Sequence, residues 1–208
     1  ALRAAGLRII DTILVSYTEM IANKAAYSDP DKRHAMDQLM TLLLAGHETT
    51  VNLIGSGTLA LMENQREKER LVGDFSLLGS AVEELLRFTA PVETATERYA
   101  AQDIDMHATR IRRGDVIFPV VASANRDAQK FAEPDRLDVA RKPNPHLAFG
   151  DGVHYCVGSH LAKMEAEIAF GCLLRRLPKL SLACPAHELR WRAAPAPARL
   201  EAIGRGYV

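Results

Sequence analysis

The run Phe149-Gly150-Asp151-Gly152-Val153-His154-Tyr155-Cys156-Val157-Gly158 sets three glycines around one cysteine. Glycine takes positive φ without strain, so the run specifies a tight loop whose backbone can pass close to a flat or bulky group. Directly after it, Leu161, Met164, Ile168 and Cys172 recur at helical spacing on one face. Cys156 is therefore delivered to the start of a helix, where free N–H groups and the helix dipole favour thiolate over thiol.

A thiolate so held is a nucleophile or a metal ligand. Zinc calls for several Cys or His at close spacing, and the loop itself offers only His154. A single strong thiolate suits a metal whose other positions come from a cofactor, with haem iron the obvious case. The alternative for a lone cysteine is a buried structural thiol beside a turn.

The rest of the chain reads as helix, helix, strands, coil, loop, helix. An amphipathic stretch covers residues 9–26. Ser28-Asp29-Pro30 joins a capping side chain to a proline suited to the first turn, and predicts a helix from there to about Met62. Gly46, Gly55 and Gly57 weaken that helix, and His47-Glu48-Thr49 puts polar groups in its middle. Ser80-x-x-Glu83 reads as a capping box, with helix over residues 81–88 and Pro91 as its stop. Ile104, Met106, Ile111 and the run 116–121 predict strands, with Gly114 at a turn. Residues 125–145 are polar and irregular, and residues 193–198 are rich in Pro and Ala. This order predicts a mainly α fold with a minor β-sheet. Cys172 reads as a core thiol and Cys184 as a coil thiol.

The 208 residues carry 26 Lys+Arg against 26 Asp+Glu, which gives no overall pull toward nucleic acid or an anionic membrane. With 48% hydrophobic and 25% charged residues, the chain has the means to bury a core and is not of the disordered class. The longest charge-free stretch near the middle, residues 49–62, is shorter than the roughly 20 apolar residues a spanning helix needs. No signal-peptide pattern opens the sequence. Three cysteines far apart make no disulfide framework and suit a reducing cytoplasm. Charge is unevenly spread: residues 141–208 hold 10 Lys+Arg and 5 Asp+Glu, against 16 and 21 in residues 1–140.

The cysteine loop resembles the haem-binding signature of the cytochrome P-450 family, in its soluble bacterial form, at Phe149, Gly150, Gly152, Cys156 and Gly158. Other stretches agree in order and spacing. Ala45-Gly46-His47-Glu48-Thr49-Thr50 resembles the oxygen-activating part of the family's long central helix. Glu84-Leu85-Leu86-Arg87 resembles its Glu-x-x-Arg helix, and Phe131-Ala132-Glu133-Pro134-Asp135-Arg136 its arginine-bearing segment. Ala90-Pro91-Val92-Glu93 and His146-Leu147-Ala148-Phe149 are closest in flavour to the bacterial oxygenases that tailor macrolides and other secondary metabolites. The resemblance covers about residues 35–203 and places the whole chain, 1–208, in the C-terminal part of that fold. The chain has roughly half the family's usual length, and residues 1–34 match its pattern poorly. Lys163 stands where the family more often has arginine, and Arg112 where proline is common.

By this resemblance the chain is part of a haem-thiolate monooxygenase, an oxidoreductase with haem b as cofactor. Cys156 is the iron ligand; Ala45, Phe149, Gly150 and Gly158 line the haem, and Arg98 and His154 donate to its propionates. Glu48 and Thr49 form a proton relay to dioxygen, with Ala45 and Gly46 leaving room for it. A threonine bonding back to its own helix is the bland reading of that pair. Glu84 and Arg87 alone make an ordinary ion pair. If Arg136 joins them, the carboxylate accepts from two guanidinium forks and locks the coil that positions Cys156, a structural triad. The implied partners are dioxygen, an apolar small-molecule substrate to be hydroxylated or epoxidised, and an external ferredoxin with its reductase. Lys142, Lys163, Arg175 and Arg176 are candidates to dock an acidic donor, and residues 88–94 to touch substrate. Two rivals stand beside this reading: a catalytically inert truncated fragment, and a cytochrome-like activator of a partner enzyme. Retention of Cys156, Glu48 and Thr49 counts against the activator.

Overall fold

The computed structural model describes residues 30–189, 191–192 and 199–200. The amphipathic stretch 9–26, the capping residues Ser28 and Asp29, and the Pro/Ala passage 193–198 lie outside them. Helix α1 spans Pro30–Glu63, as the sequence predicts, and its glycines do not break it. At Gly57 the reason is visible: an added Cβ would lie 2.6 Å from the Phe170 ring, so glycine lets that ring approach the helix closely. Within α1 the chain divides into two compact units, residues 1–47 and 48–208. In the first, Leu39, Leu42, Leu43 and Leu44 are exposed.

The second unit holds the core. After Asn64, whose side chain bonds the Ala60 carbonyl, α2 runs over Gln65–Gly73 and buries Lys68 and Leu71. Asp74 then accepts from the Ser76 N–H and opens a 3₁₀ turn, Phe75–Leu77. That turn feeds directly into α3, Leu78–Thr89. Helix α3 therefore starts earlier than a capping box at Ser80 requires. The Ser80 hydroxyl sits 2.9 Å from the Leu77 carbonyl and 2.8 Å from that of Val139, and caps nothing. Ala90 ends α3 in the left-handed region at φ 41°, just before Pro91.

Strands follow where the sequence places them, but as separate ribbons and not one sheet. β1 (Arg98–Tyr99) pairs antiparallel with β4 (Val116–Ile117), and β2 (Ile104–Met106) with β3 (Thr109–Ile111). Gly114 turns at φ 90° before β4. The strand run stops short, because Val121–Ala124 coils into α4. Irregular coil then covers residues 125–158 up to α5, Ser159–Arg176, apart from one 3₁₀ turn at Gly152–His154. β5 (Trp191–Arg192) and β6 (Arg199–Leu200) form a third ribbon.

Helix α5 packs on α3 and α1 through Ala166, Phe170 and Leu174, a stripe at spacings of four. These join Leu53, Leu61, Leu71, Val82, Leu85, Leu137 and Val139 in one buried cluster. The stripe Leu161, Met164, Ile168 and Cys172 is real in spacing but faces outward. Cys172 is thus an exposed thiol, not a core one, because Phe170 and Leu174 already fill the inner face. No helix among the described residues is long and apolar enough to cross a membrane.

Candidate functional site

Glu84, fully buried on α3, is the centre of the second unit's polar core. Its two oxygens accept a bidentate pair from Arg87, Nε and Nη2 at 2.8 Å each. A second guanidinium meets the same carboxylate, with its Nε 3.0 Å from both oxygens, but it belongs to Arg141. The Asp138 N–H at 3.0 Å and Asn144 Nδ2 at 3.2 Å complete the shell. Arg136 is corrected out of the triad. Its side chain is exposed, pairing with Glu133 at 3.1 Å and Asp138 at 3.4 Å. What Arg136 contributes is its backbone carbonyl, which accepts from Arg141 at 3.0 Å and Arg87 at 3.3 Å. Arg87 also donates to the Asn125 and Pro134 carbonyls, and Arg141 to that of Ala132. Two forks thereby sew the coil to α3 with charge-assisted bonds.

Glu83, one position earlier, gathers a second group. His146 Nε2 lies 2.8 Å from one of its oxygens and Lys163 Nζ 2.7 Å from the other. The Ala148 N–H points to His146 Nδ1 at 3.2 Å, so Nδ1 is the acceptor and Nε2 carries the proton toward Glu83. Burial pushes the Glu83 carboxyl up, but the hydrogen bonds from His146 and Lys163 and the Lys163 charge outweigh it and hold it below its usual value. The Lys163 ammonium sits 5.4 Å from the centre of the Phe149 ring. Phe149 in turn lies 6.2 Å from the rings of both His146 and Tyr155. Lys163 is thus engaged inside the fold, while Arg175 stacks 4.4 Å over Phe75 and stays exposed. Lys142 and Arg176 face solvent.

The cysteine loop grows from this base. Gly150 and Gly152 take φ of 74° and 73°, the conformations that make glycine necessary there. The Cys156 N–H donates to the Phe149 carbonyl at 3.0 Å, closing the loop, and the Ser159 N–H bonds the Cys156 carbonyl at 3.2 Å as α5 begins. The Cys156 side chain is exposed, flanked by Val153 and Val157 at 97% and 91% exposure. A Cβ added at Gly158 would lie 3.9 Å from the sulfur, so glycine keeps the space beside the thiol open. Among the described residues no three His, Cys, Asp or Glu side chains are grouped to hold a metal. The donor on offer is a single thiol at a helix start, with open apolar surroundings, and that arrangement fits a haem supplying the iron's remaining positions.

The other expected residues are spread along the chain. Glu48 and Thr49 are half-buried in α1, while Ala45 is exposed. Arg98 is exposed on β1 and bonds Thr96 and the Glu97 carbonyl beside it. His154 is exposed at the end of its 3₁₀ turn. Arg141, Asn144, His146 and Asn125 went unassigned from sequence.

Comparison with known proteins gives the same address. The family model described as Cytochrome P450 matches residues 5–181, reaching further toward the N-terminus than the motifs do. The polyketide biosynthesis cytochrome P450 PksS of Bacillus subtilis is 44% identical over 161 residues, 77% of this chain and 40% of its own. The cytochrome P450 monooxygenase PikC of Streptomyces venezuelae is 44% identical over 78% of this chain and 39% of its own. The tirandamycin C-bound P450 monooxygenase TamI superposes with a TM-score of 0.77 at 46% identity, covering 79% of this chain and 41% of that one. The chain thus spans about two fifths of the length of such relatives. With a family model over most of its residues, and with relatives above 40% identity sharing its fold, the chain belongs to the cytochrome P450 family.

Proposed function

We propose that this chain carries the thiolate-ligand half of a haem-dependent monooxygenase that oxidises an apolar small molecule, a secondary metabolite of polyketide type. The observation that carries the reading is Cys156, a lone exposed thiol closing a glycine loop at the start of α5. Bound there, haem would supply the redox chemistry: activation of dioxygen with two electrons from an external ferredoxin and its reductase.

The chain's own residues do the rest. Cys156 would ligate the iron through its sulfur, at the loop that leads into α5. Gly150 and Gly152 shape the loop, Gly158 leaves space beside the sulfur, and the Phe149 carbonyl holds the Cys156 N–H. Arg98 and His154, both solvent-facing, would turn toward propionates, Arg98 by giving up its bonds to Thr96 and Glu97. Glu48 and Thr49 would hold and pass protons within α1, with Ala45 one helical turn before Thr49. Lys142, Arg175 and Arg176 are exposed and available for an acidic electron donor, whereas Lys163 is held by Glu83. Three free thiols are in keeping with a reducing cytoplasm.

The test is spectroscopic. The reduced, carbonyl-bound, haem-loaded protein should show the strongly red-shifted band that thiolate ligation gives. Cys156→Ser should lose that band, while Cys172→Ser and Cys184→Ser keep it. An unchanged band in the Cys156 variant overturns the reading.

A further inference from the structure

Asn125 is fully buried at the end of α4, and its side-chain bonding is lopsided. Its Oδ1 accepts from the Leu147 N–H at 2.8 Å, across 22 positions of chain. Its Nδ2 is buried without a hydrogen-bond partner among the described residues. Burying an amide donor unpaired is unfavourable, so a residue placed there for packing alone would be apolar. The amide is there for what its oxygen holds.

That oxygen holds the entrance of the cysteine loop. The Leu147 carbonyl accepts from the Gly150 N–H at 2.9 Å, and two residues on, the Phe149 carbonyl accepts from the Cys156 N–H at 3.0 Å. On its other side, the Asn125 carbonyl accepts from Arg87 Nη1 at 2.8 Å, and Arg87 is clamped on Glu84. One run of hydrogen bonds therefore leads from the buried ion-pair core to the loop bearing the thiol, and the Asn125 side chain is its joint. We propose that Asn125 is a positioning residue for Cys156: it fixes the coil that enters the loop against the Glu84 core, so that the sulfur stays seated as an iron ligand. The proposal rests on the haem-thiolate reading of Cys156.

Two readouts on the haem-loaded protein test it. The first is hydrogen exchange at the Leu147 amide. The second is the share of reduced carbonyl complex with the thiolate-type band, at equal haem content. Asn125→Ala should speed Leu147 exchange by roughly tenfold or more and shift a substantial share of the complex out of the thiolate-type band. Asn125→Asp keeps an oxygen where Leu147 needs it, although it puts an ionisable oxygen where the buried Nδ2 stood, so it should recover both readouts in part relative to Asn125→Ala. Should the alanine variant fail to fold, Asn125→Gln takes its place, since one extra methylene displaces the oxygen while keeping the amide.

Faster Leu147 exchange with an unchanged thiolate share overturns the proposal, because the tether would then hold the coil without seating the sulfur. Unchanged Leu147 exchange overturns it too. A wild-type protein without the thiolate-type band overturns the haem-thiolate reading and this proposal with it. That case is distinguishable, because Leu147 exchange would still respond to Asn125.

Discussion

Arg136 and Arg141 lie five positions apart in one coil, and only Arg141 is buried against Glu84. Their removal should have unequal effects. Arg141→Ala takes one of two guanidinium partners from a carboxylate with no solvent exposure and removes the bonds to the Ala132, Glu133 and Arg136 carbonyls, a loss of about 3 kcal/mol, the low end for breaking a buried pair because Arg87 remains. Arg136→Ala removes a side chain that is 59% exposed and should cost under about 1 kcal/mol, because its backbone carbonyl stays in place. Denaturant melts of the two variants check this, and equal losses would restore Arg136 to the cluster. The sequence made Glu84 and Arg87 legible through their spacing on a helix. The second arginine was not legible in that way, because coil has no period that tells which of several nearby arginines turns inward. Asn125 and Asn144 were hidden for the same reason: a buried amide in coil looks like any turn residue until its partner is seen.

At the level of elements, what could be read followed apolar periodicity. Helix α1, α3 and the glycine loop carried clear patterns, whereas α2 did not: Gln65-Arg66-Glu67-Lys68-Glu69-Arg70 is almost wholly charged. Its inner face includes Lys68, buried with its ammonium on the Leu180 carbonyl at 2.7 Å, so a lysine occupies a position where the pattern calls for a leucine. The capping box failed for a different reason. Asp74 starts the turn earlier, and Glu83 is used to join three elements: α3, the coil at His146 and α5 at Lys163. This joint has a pH signature. Since the folded protein holds the Glu83 carboxyl below its ordinary 4.5, its contribution is fully present above that value and is lost as pH falls through the depressed one. Glu83→Gln should therefore lower stability at neutral pH by about 1 kcal/mol or less, the group being partly exposed. The gap between variant and parent should narrow as pH falls from 4.5 and close once it is below the depressed value. Thermal melts across that range measure it, and a gap that persists at low pH would show that Glu83 acts by packing and not by charge.

Seen whole, the described residues have one well-filled core and several apolar faces with nothing over them. On α5, Leu161, Met164 and Ile168 are 54%, 53% and 60% exposed, and Val157 ahead of them is 91% exposed. Covering the exposed half of three such side chains is worth on the order of 2–4 kcal/mol. That is below the roughly 4–15 kcal/mol that association costs in lost freedom, so the stripe alone supports only weak contacts. The 208-residue chain should therefore bind an apolar fluorescent dye and associate reversibly as concentration rises, as contiguous exposed apolar surface does. Met164→Lys with Ile168→Lys should reduce both effects and leave the melting temperature within a few degrees, because neither side chain belongs to the core. Phe170→Lys, one turn away but fully buried against Gly57, should instead unfold the chain. Dye titration with sedimentation velocity separates these outcomes. If the double lysine variant melts as poorly as Phe170→Lys, the outer face of α5 is part of the chain's own core after all, and the buried stripe does not hold the helix by itself.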